Sequence, residues 1–416
     1  MAQIKETLED KNSWWKEEFK INFKDRIIYG KIQKFMPLQQ IIALTGLRRV
    51  GKTTIMLKIA EDNIKKGFNP KNIIYFSFDE FKDIEIREVM KEYENITEKN
   101  FRKEKYILLL DEIQKLNNWE NQLKSVYDSF GKNIKIIISG SESLFIKKNF
   151  KETLAGRIFE FKVEPLLFKE FLLFKEIEFK PIGLYEKDLI MLFNEFMLTL
   201  GFPELVGIKD KDIIKKYVKE GIVDKIVYKD IPALFKIKDV FIIESLLNII
   251  MEEPGQLIEI SELAKELKTS RQTISNYLTY LEESFLIKKL YNFSRNRRKI
   301  ERKLKKYYSA IISIDLLFKN DDLSKSKVFE WALVNQLNAE FFWRDSYKNE
   351  VDIILMENGI MPVEIKYGKI DLKGLLAFMQ KFNINKGYII SYNKEEKHKT
   401  KDKIIFVLPV FKFLLK

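Results

Sequence analysis

The run Gly46-Leu47-Arg48-Arg49-Val50-Gly51-Lys52-Thr53 fits the pattern G-x-x-x-x-G-K-[ST], and it constrains the fold more than any other stretch of the chain. A β-branched segment, residues 41–45, precedes it and a helical stretch opens at Thr54. Strand, glycine loop and helix in that order make a phosphate cradle, because backbone N–H groups converge at a helix N-terminus that already favours negative charge. Gly51 lets the backbone approach the phosphates. Lys52 is expected to reach the β- and γ-phosphates, and the Thr53 hydroxyl to ligate Mg²⁺. Gly46 to Thr54 is therefore the expected nucleotide-binding segment, with ATP and Mg²⁺ as cofactors. Arg48 and Arg49 lie inside the loop, in reach of either the nucleotide or a neighbouring lid.

Two later apolar runs end in acidic pairs, Asp79-Glu80 in "NIIYFSFDE" and Asp111-Glu112 in "KYILLLDE". The second is the expected Walker B pair, since the strand after it, "NIKIIISGSES", ends in small polar residues suited to sensing a γ-phosphate. Asp111 would hold Mg²⁺ through water and Glu112 would polarise the attacking water. Asp79 and Glu80 are left to line a rim or cap a strand. Ser139 and Ser141 are either sensors or simply a polar strand end.

At 416 residues the chain is too long for one ordinary core. It has no cysteine, and its one histidine, His398, sits in a lysine-rich tail. Thiolate sites, disulfides and histidine triads are excluded, so any catalytic metal rests on carboxylates, phosphates and water, which favours Mg²⁺ or Mn²⁺. No apolar run is long enough to span a bilayer, and the N-terminus has no signal-peptide core. A cytoplasmic protein with no membrane partner is expected. The net charge of +13 is concentrated: residues 287–306, "IKKLYNFSRNRRKIERKLKK", hold ten Lys/Arg and one Glu. Such focusing predicts a polyanion-binding surface, with a solvated charged face as the plainer alternative.

The segments "GLRRVGKTT", "YILLLDEIQKLNNWE", "ISGSES" and "LAGRIFEFKVEPLLFKEFL" resemble a family of archaeal and bacterial AAA-type ATPases. Some of its members carry a nuclease-like C-terminal region. The resemblance covers essentially the whole chain and is specific over residues 1–175, with Leu47 standing where many members have proline. It implies that Arg157, in "LAGR", is offered to a neighbouring subunit's γ-phosphate, hence a homo-oligomer; an ordinary intramolecular ion pair is the alternative.

Residues 166–240 show apolar positions at three- and four-residue spacing, broken at Gly201-Phe202-Pro203, and read as a helical lid. Residues 241–320 read as a winged helix. A helix over 261–268, a short turn and a second helix over 271–283 capped by Ser270 form a helix-turn-helix, and the basic stretch falls where a wing would lie. Ser270, Arg271, Gln272 and Ser275 would face a DNA groove, while Arg295, Arg297, Arg298 and Lys299 would grip phosphate. Winged helices also serve purely as oligomerisation modules.

Residues 321–416 begin with an amphipathic helix over "SKVFEWALVNQLNAEFFWRDS", carrying Glu330, followed by two strands, a helix over 371–382 and a further strand. That order, with Glu330, Asp352 and then Glu364-x-Lys366, resembles the restriction-endonuclease-like core. Asp352 and Glu364 would bind a divalent metal with Glu330 beside them, Mg²⁺ or alternatively Mn²⁺, and Lys366 would position the attacking water. A three-residue loop at 357–359 places Asp352 opposite Glu364, whereas a two-residue Asn-Gly turn separates them. The three-residue register also groups Val351, Ile353, Leu355, Val363 and Ile365 on one core-facing side, and it is the one expected.

The fold expected is α/β throughout: an AAA-type P-loop core (1–165), a helical lid (166–240), a winged helix (241–320) and a restriction-endonuclease-like domain (321–416). Its expected work is ATP-driven binding of double-stranded or branched DNA, with metal-dependent cleavage of branched or broken DNA. The alternative is a nucleotide-gated regulatory or scaffold ATPase with an inactive C-terminal domain.

Overall fold

The computed structural model describes residues 2–81, 83–140, 153–235, 237–296, 298, 300, 304–356, 359–400 and 402–416. The chain divides into two compact units, 1–165 and 166–416.

The first unit is built on a parallel sheet of five strands, β1 (Ile41–Thr45), β2 (Ile73–Ser77), β3 (Tyr106–Asp111), β4 (Ile134–Gly140) and β5 (Ile158–Lys162). Their spatial order is β2-β3-β4-β1-β5. The inner strands β1, β3 and β4 are mostly unbroken apolar runs rather than alternating ones, with Lys135 interrupting β4, as suits a sheet covered on both faces. Strand β4 lies between the strand that leads into the P-loop and the strand that ends in Asp111. The carboxyl ends of β1, β3 and β4 are thereby brought side by side.

Strand β2 is an edge, and the N-terminal segment closes it. Helix α1 (Ala2–Lys11) is followed by Asn12, whose side chain acts as a surrogate strand: Nδ2 donates to the Tyr75 carbonyl at 2.9 Å, and Tyr75 N donates back to Oδ1 at 2.7 Å. The indole N–H groups of Trp14 and Trp15 both donate to the Ile73 carbonyl. An exposed row of edge hydrogen-bonding groups is thus covered. The unit's other long helices are α2 (Ile27–Phe35), α3 (Lys52–Lys65), α4 (Ile86–Thr97) and α5 (Trp119–Phe130).

The second unit opens with helices α6 (Phe168–Phe174), α7 (Glu186–Leu198) and α8 (Lys211–Val218), the last running on through π turns to Leu234. After α9 (Val240–Glu252) come β6 (Gln256–Ile258), α10 (Ile260–Glu266), α11 (Arg271–Glu283), β7 (Ile287–Asn292) and β8 (Lys305–Ser309). After a helical turn at Ile314–Leu317 come α12 (Asp322–Gln336), β9 (Phe341–Arg344), β10 (Glu350–Leu355), β11 (Met361–Lys366), α13 (Lys373–Phe382), β12 (Lys386–Ser391), β13 (Glu396–Thr400), β14 (Lys403–Pro409) and α14 (Val410–Leu414).

All nine strands join one sheet in the order β13-β14-β12-β11-β10-β9-β7-β8-β6. The join is the parallel pairing of β7 with β9, Tyr291 beside Phe341 and Asn292 beside Phe342, reinforced by Asn292 Nδ2 donating to the Arg344 carbonyl. Residues 241–320 and 321–416 therefore share a sheet.

Two local expectations are corrected here. The helix carrying Glu330 begins earlier, at Asp322, and stops at Gln336; the aromatic run Phe341–Arg344 is strand β9, a third strand ahead of the hairpin. Aromatic side chains favour the pleated, half-buried surface that β9 offers. The helix is also not amphipathic in the simple sense, since Val328, Phe329, Trp331, Ala332, Leu333 and Val334 are all buried.

The hairpin register pairs Ile353 with Val363, Ile354 with Pro362 and Leu355 with Met361, so one step on Asp352 comes opposite Glu364. This is the register of the three-residue loop; Glu357 and Asn358 lie outside the described residues, and Gly359 has φ +105°. The expected grouping of faces is corrected by a register shift between Val351 and Ile354 in the pairing of β10 with β9. Such a bulge adds a residue and turns the following side chains over. As a result Val351 and Ile354, three apart, share the core built on Leu375, Phe378 and Met379 of α13. Ile353, Val363 and Ile365 are buried too, and Leu355 is half-buried.

Candidate functional site

The P-loop leaves β1 at Gly46, whose φ of +137° and position against the Val163 carbonyl admit no side chain: a Cβ there would stand 2.3 Å from that oxygen. The loop re-enters helix at Gly51, left-handed at φ +96°. Lys52 is buried, and its Nζ donates to the carbonyls of Gly46 (3.0 Å) and Leu47 (2.8 Å), so the ammonium lies within the curve of the loop. Arg26, which nothing in the sequence had flagged, spans this region from outside. Its guanidinium donates to the carbonyls of Val50 (2.8 Å) and Glu164 (2.7 Å). Leu47 and Val50 are buried, Arg48 is half-buried, and Arg49, Thr53 and Thr54 are exposed.

Asp111 gathers the rest. The Thr53 hydroxyl donates to its Oδ2 at 2.7 Å, and the Tyr75 hydroxyl donates to the same oxygen at 2.8 Å. The Ser139 hydroxyl and the Glu112 N–H donate to Oδ1. Ser139, expected as a γ-phosphate sensor, is fully buried and oriented toward Asp111. Tyr75 was missed because spacing gives no signal for it; only the pairing of β2 with β3 brings it to Asp111. Burial first and the Asp111 charge second push the Tyr75 hydroxyl well above its ordinary pKa, so it stays a donor. These residues fit Mg²⁺. A hydroxyl and a carboxylate converge on one point at the mouth of the loop, leaving phosphates and water to complete the shell.

Glu112 follows in the left-handed region at φ 53°, uncommon for a side chain of its size, and its Oε2 accepts from Gln114 Nε2 at 2.5 Å. Asp79 and Glu80 are exposed. Ser141 lies outside the described residues. Arg157 precedes β5, where its carbonyl accepts from Ile41 N at the amino end of β1. It is thus a strand's length from the P-loop, about 15 Å at the usual rise per residue. Its Nε donates to Asp128 Oδ1 at 3.0 Å, an ion pair that leaves it half-exposed.

In the second unit the C-terminal carboxylates meet a lysine no spacing rule had named. Lys306, on β8, is 5% exposed. Its Nζ lies 2.5 Å from Glu350 Oε1 and 3.5 Å from Glu330 Oε1. Glu330 Oε1 also accepts from the buried Tyr308 hydroxyl at 2.6 Å, and Glu350 is paired with Arg344 at 3.0 Å. Asp352 Oδ2 accepts from the Ile365 N–H at 2.8 Å, and Glu364 Oε1 accepts from Lys366 at 2.6 Å. Glu364 Oε2 is buried without a hydrogen-bond partner. Burial and then the Glu330 charge raise Asp352; burial and then Asp352 raise Glu364. Among the described residues no three carboxylate or imidazole side chains are grouped as a metal would need.

In the segment expected to be a helix-turn-helix, Ser270 caps α11, accepting from Thr273 N at 3.0 Å. Ser270, Arg271 and Gln272 are exposed and Ser275 half-buried. The basic stretch is less available than its count suggests. Lys288 donates to the Val334 carbonyl, Lys289 pairs with Glu282, Arg295 donates to the Phe382 carbonyl at the end of α13, and Lys306 is buried. Arg298 is exposed; Arg297 and Lys299 lie outside the described residues.

Comparison with known proteins fits this geometry. Residues 38–172 match the family model of an AAA domain, residues 190–313 a domain of unknown function (DUF8612), and residues 328–413 another (DUF4143). The class is therefore an AAA-type P-loop ATPase domain joined to a second, larger unit. More particularly, the chain belongs to the family of the uncharacterized protein MJ1544 of Methanocaldococcus jannaschii, with which it is 32% identical over 346 residues, 80% of this chain and 74% of that one. An uncharacterized protein of Haemophilus influenzae is 30% identical over 274 residues; the match spans 64% of this chain and 65% of that protein's length. AMPPCP-bound DnaA from Aquifex aeolicus overlaps 64% of this chain and 90% of its own, at 16% identity and a loose TM-score of 0.31. Among the described residues no helix is long and apolar enough to cross a membrane.

Proposed function

We propose that this protein hydrolyses ATP in a homo-oligomer and couples nucleotide state to DNA binding. The observation that carries the reading is the Thr53 hydroxyl on the Asp111 carboxylate at 2.7 Å, at the mouth of a loop that holds Lys52 within its curve. Bound phosphate would draw the Lys52 ammonium from the Gly46 and Leu47 carbonyls, while the loop N–H groups take the remaining phosphate oxygens. Thr53, and Asp111 through water, would hold Mg²⁺, which supplies charge neutralisation on the phosphates. Glu112, aimed by its left-handed backbone, would orient the attacking water. A strand's length away from its own P-loop, Arg157 acts on a neighbour's nucleotide by exchanging Asp128 for a γ-phosphate.

Mixing two dead variants tests this. Glu112→Gln and Arg157→Ala should each lose hydrolysis, and their mixture should regain part of it, because one chain lends its arginine and the other its glutamate. Full activity of Arg157→Ala alone would remove the trans arginine.

DNA binding is supported by the exposed start of α11 after a short turn, followed by the strand pair β7–β8, the element order of a winged helix. Double-stranded or branched DNA is the proposed partner. For the C-terminal unit, cleavage by Asp352, Glu364 and Lys366 competes with a second reading, in which the unit only binds and the ATPase serves as a nucleotide-gated scaffold. The Lys306 ammonium among the carboxylates favours the second. Incubation with Mg²⁺ or Mn²⁺, with and without ATP, on linear, forked and four-way DNA decides between them: nicking lost in Asp352→Ala establishes cleavage.

A further inference from the structure

A carboxylate offers about four acceptor positions, two on each oxygen, and those of Asp111 are all filled. On Oδ1 the donors are the Ser139 hydroxyl and the Glu112 N–H; on Oδ2 they are the Thr53 and Tyr75 hydroxyls. Thr53 is the one donor of the four that Mg²⁺ would claim for itself. We infer that Tyr75 is a positioning residue for hydrolysis: it keeps its place on Asp111 Oδ2, so that when Thr53 turns to the ion the carboxylate has one acceptor to offer, and offers it to a single metal-bound water. The inference rests on the ATPase reading above and adds to it the residue that sets how Asp111 meets the ion.

The fold itself holds the Tyr75 hydroxyl in place. The side chain is 6% exposed. Its strand β2 is tied on one side by parallel pairing with β3, Tyr75 beside Leu109 and Ser77 beside Asp111. On the other side Asn12 takes both the N–H and the carbonyl of Tyr75. Thr53, by contrast, is exposed at the start of α3. Of the two donors on Oδ2, one is fixed and one is exchangeable.

That division has a chemical consequence. Mg²⁺ gives up its waters reluctantly and suits a carboxylate that accepts from a bound water, whereas Ca²⁺ takes carboxylates directly, through one oxygen or both. An Oδ2 already half-occupied by a phenol therefore favours Mg²⁺.

The test reads metal binding on the full chain with a fluorescent, non-hydrolysable ATP analogue, titrated with Mg²⁺ or Ca²⁺. Tyr75→Phe keeps the ring and removes the hydroxyl. The affinity of the analogue-bound protein for Mg²⁺ should fall about 10-fold or more and that for Ca²⁺ by less, with binding of the analogue unchanged in the absence of metal. Asn12→Ala keeps the hydroxyl and loosens the strand beneath it; it should shift Mg²⁺ in the same direction, and it stands in if Tyr75→Phe does not fold. Wild-type Mg²⁺ affinity in either folded variant overturns the inference, as does an equal loss for both ions, which packing alone would produce. A wild-type chain that binds the analogue no better with Mg²⁺ than without it overturns the ATPase reading, and this inference with it.

Discussion

Single residues here work through uncommon conformations and buried charge. Glu112 is held in the left-handed region next to a carboxylate that collects four donors, and this cost of about 1–3 kcal/mol is one that glycine would not incur. Glu112→Gln keeps the backbone and removes the base, so phosphate release should fall on the order of 10²–10⁴-fold while fluorescent-nucleotide binding is retained. Glu364 makes a pH prediction. Its folded pKa is raised, from the ordinary 4.5 to about 8, by burial first and Asp352 second. The protonated form is therefore favoured by folding: its contribution to stability is full below about 4.5 and is lost as pH rises toward 8. Urea denaturation of the second unit should show stability declining across that window, and Glu364→Gln should flatten the decline. An unchanged slope in the variant would show that another group titrates there.

At the scale of elements, the two sheets handle their weak points differently. Edge strand β2 is closed by side chains of the N-terminal segment: Trp14 and Trp15 serve the Ile73 carbonyl, and buried Asn12 serves both the N–H and the C=O of Tyr75, the residue whose hydroxyl holds Asp111. Asn12→Ala leaves two buried backbone groups unsatisfied, and urea melts should report a loss of about 2–4 kcal/mol. ATP hydrolysis should weaken with it, because Tyr75 loses its anchor. Strand β10 shows a different device, a bulge that lets Asp352 accept from the Ile365 N–H while Val351 and Ile354 both stay in the core.

Over the whole molecule, charge distribution matters more than net charge. The +13 excess suggests a polyanion surface, yet Lys288, Lys289, Arg295 and Lys306 of the basic stretch are engaged within their own unit. DNA affinity should therefore fall with salt less steeply than ten phosphate contacts would require. A log–log slope near −9 measured by fluorescence anisotropy would show that these lysines and arginines turn outward on binding. A flat response would remove DNA as the partner.

The P-loop, the acidic pair at 111–112, the strand sequence of the first unit and the second helix at 271–283 were legible in the chain, because each is a contiguous pattern whose chemistry depends on neighbours in sequence. The register that sets Asp352 opposite Glu364 was legible in part: turn chemistry left two loops open and the need to bury one face chose between them, although the bulge in β10 then redistributes which residues share that face. Tertiary structure alone decided the contacts with no local period. Tyr75 reaches Asp111 across two strands, Arg26 reaches the P-loop from a segment before β1, and Lys306 reaches Glu330 and Glu350 because β7 pairs with β9 to merge two stretches into one sheet. A lysine in a basic run looks like a surface charge until long-range strand pairing buries it among carboxylates, and that burial is a property of the packed sheet.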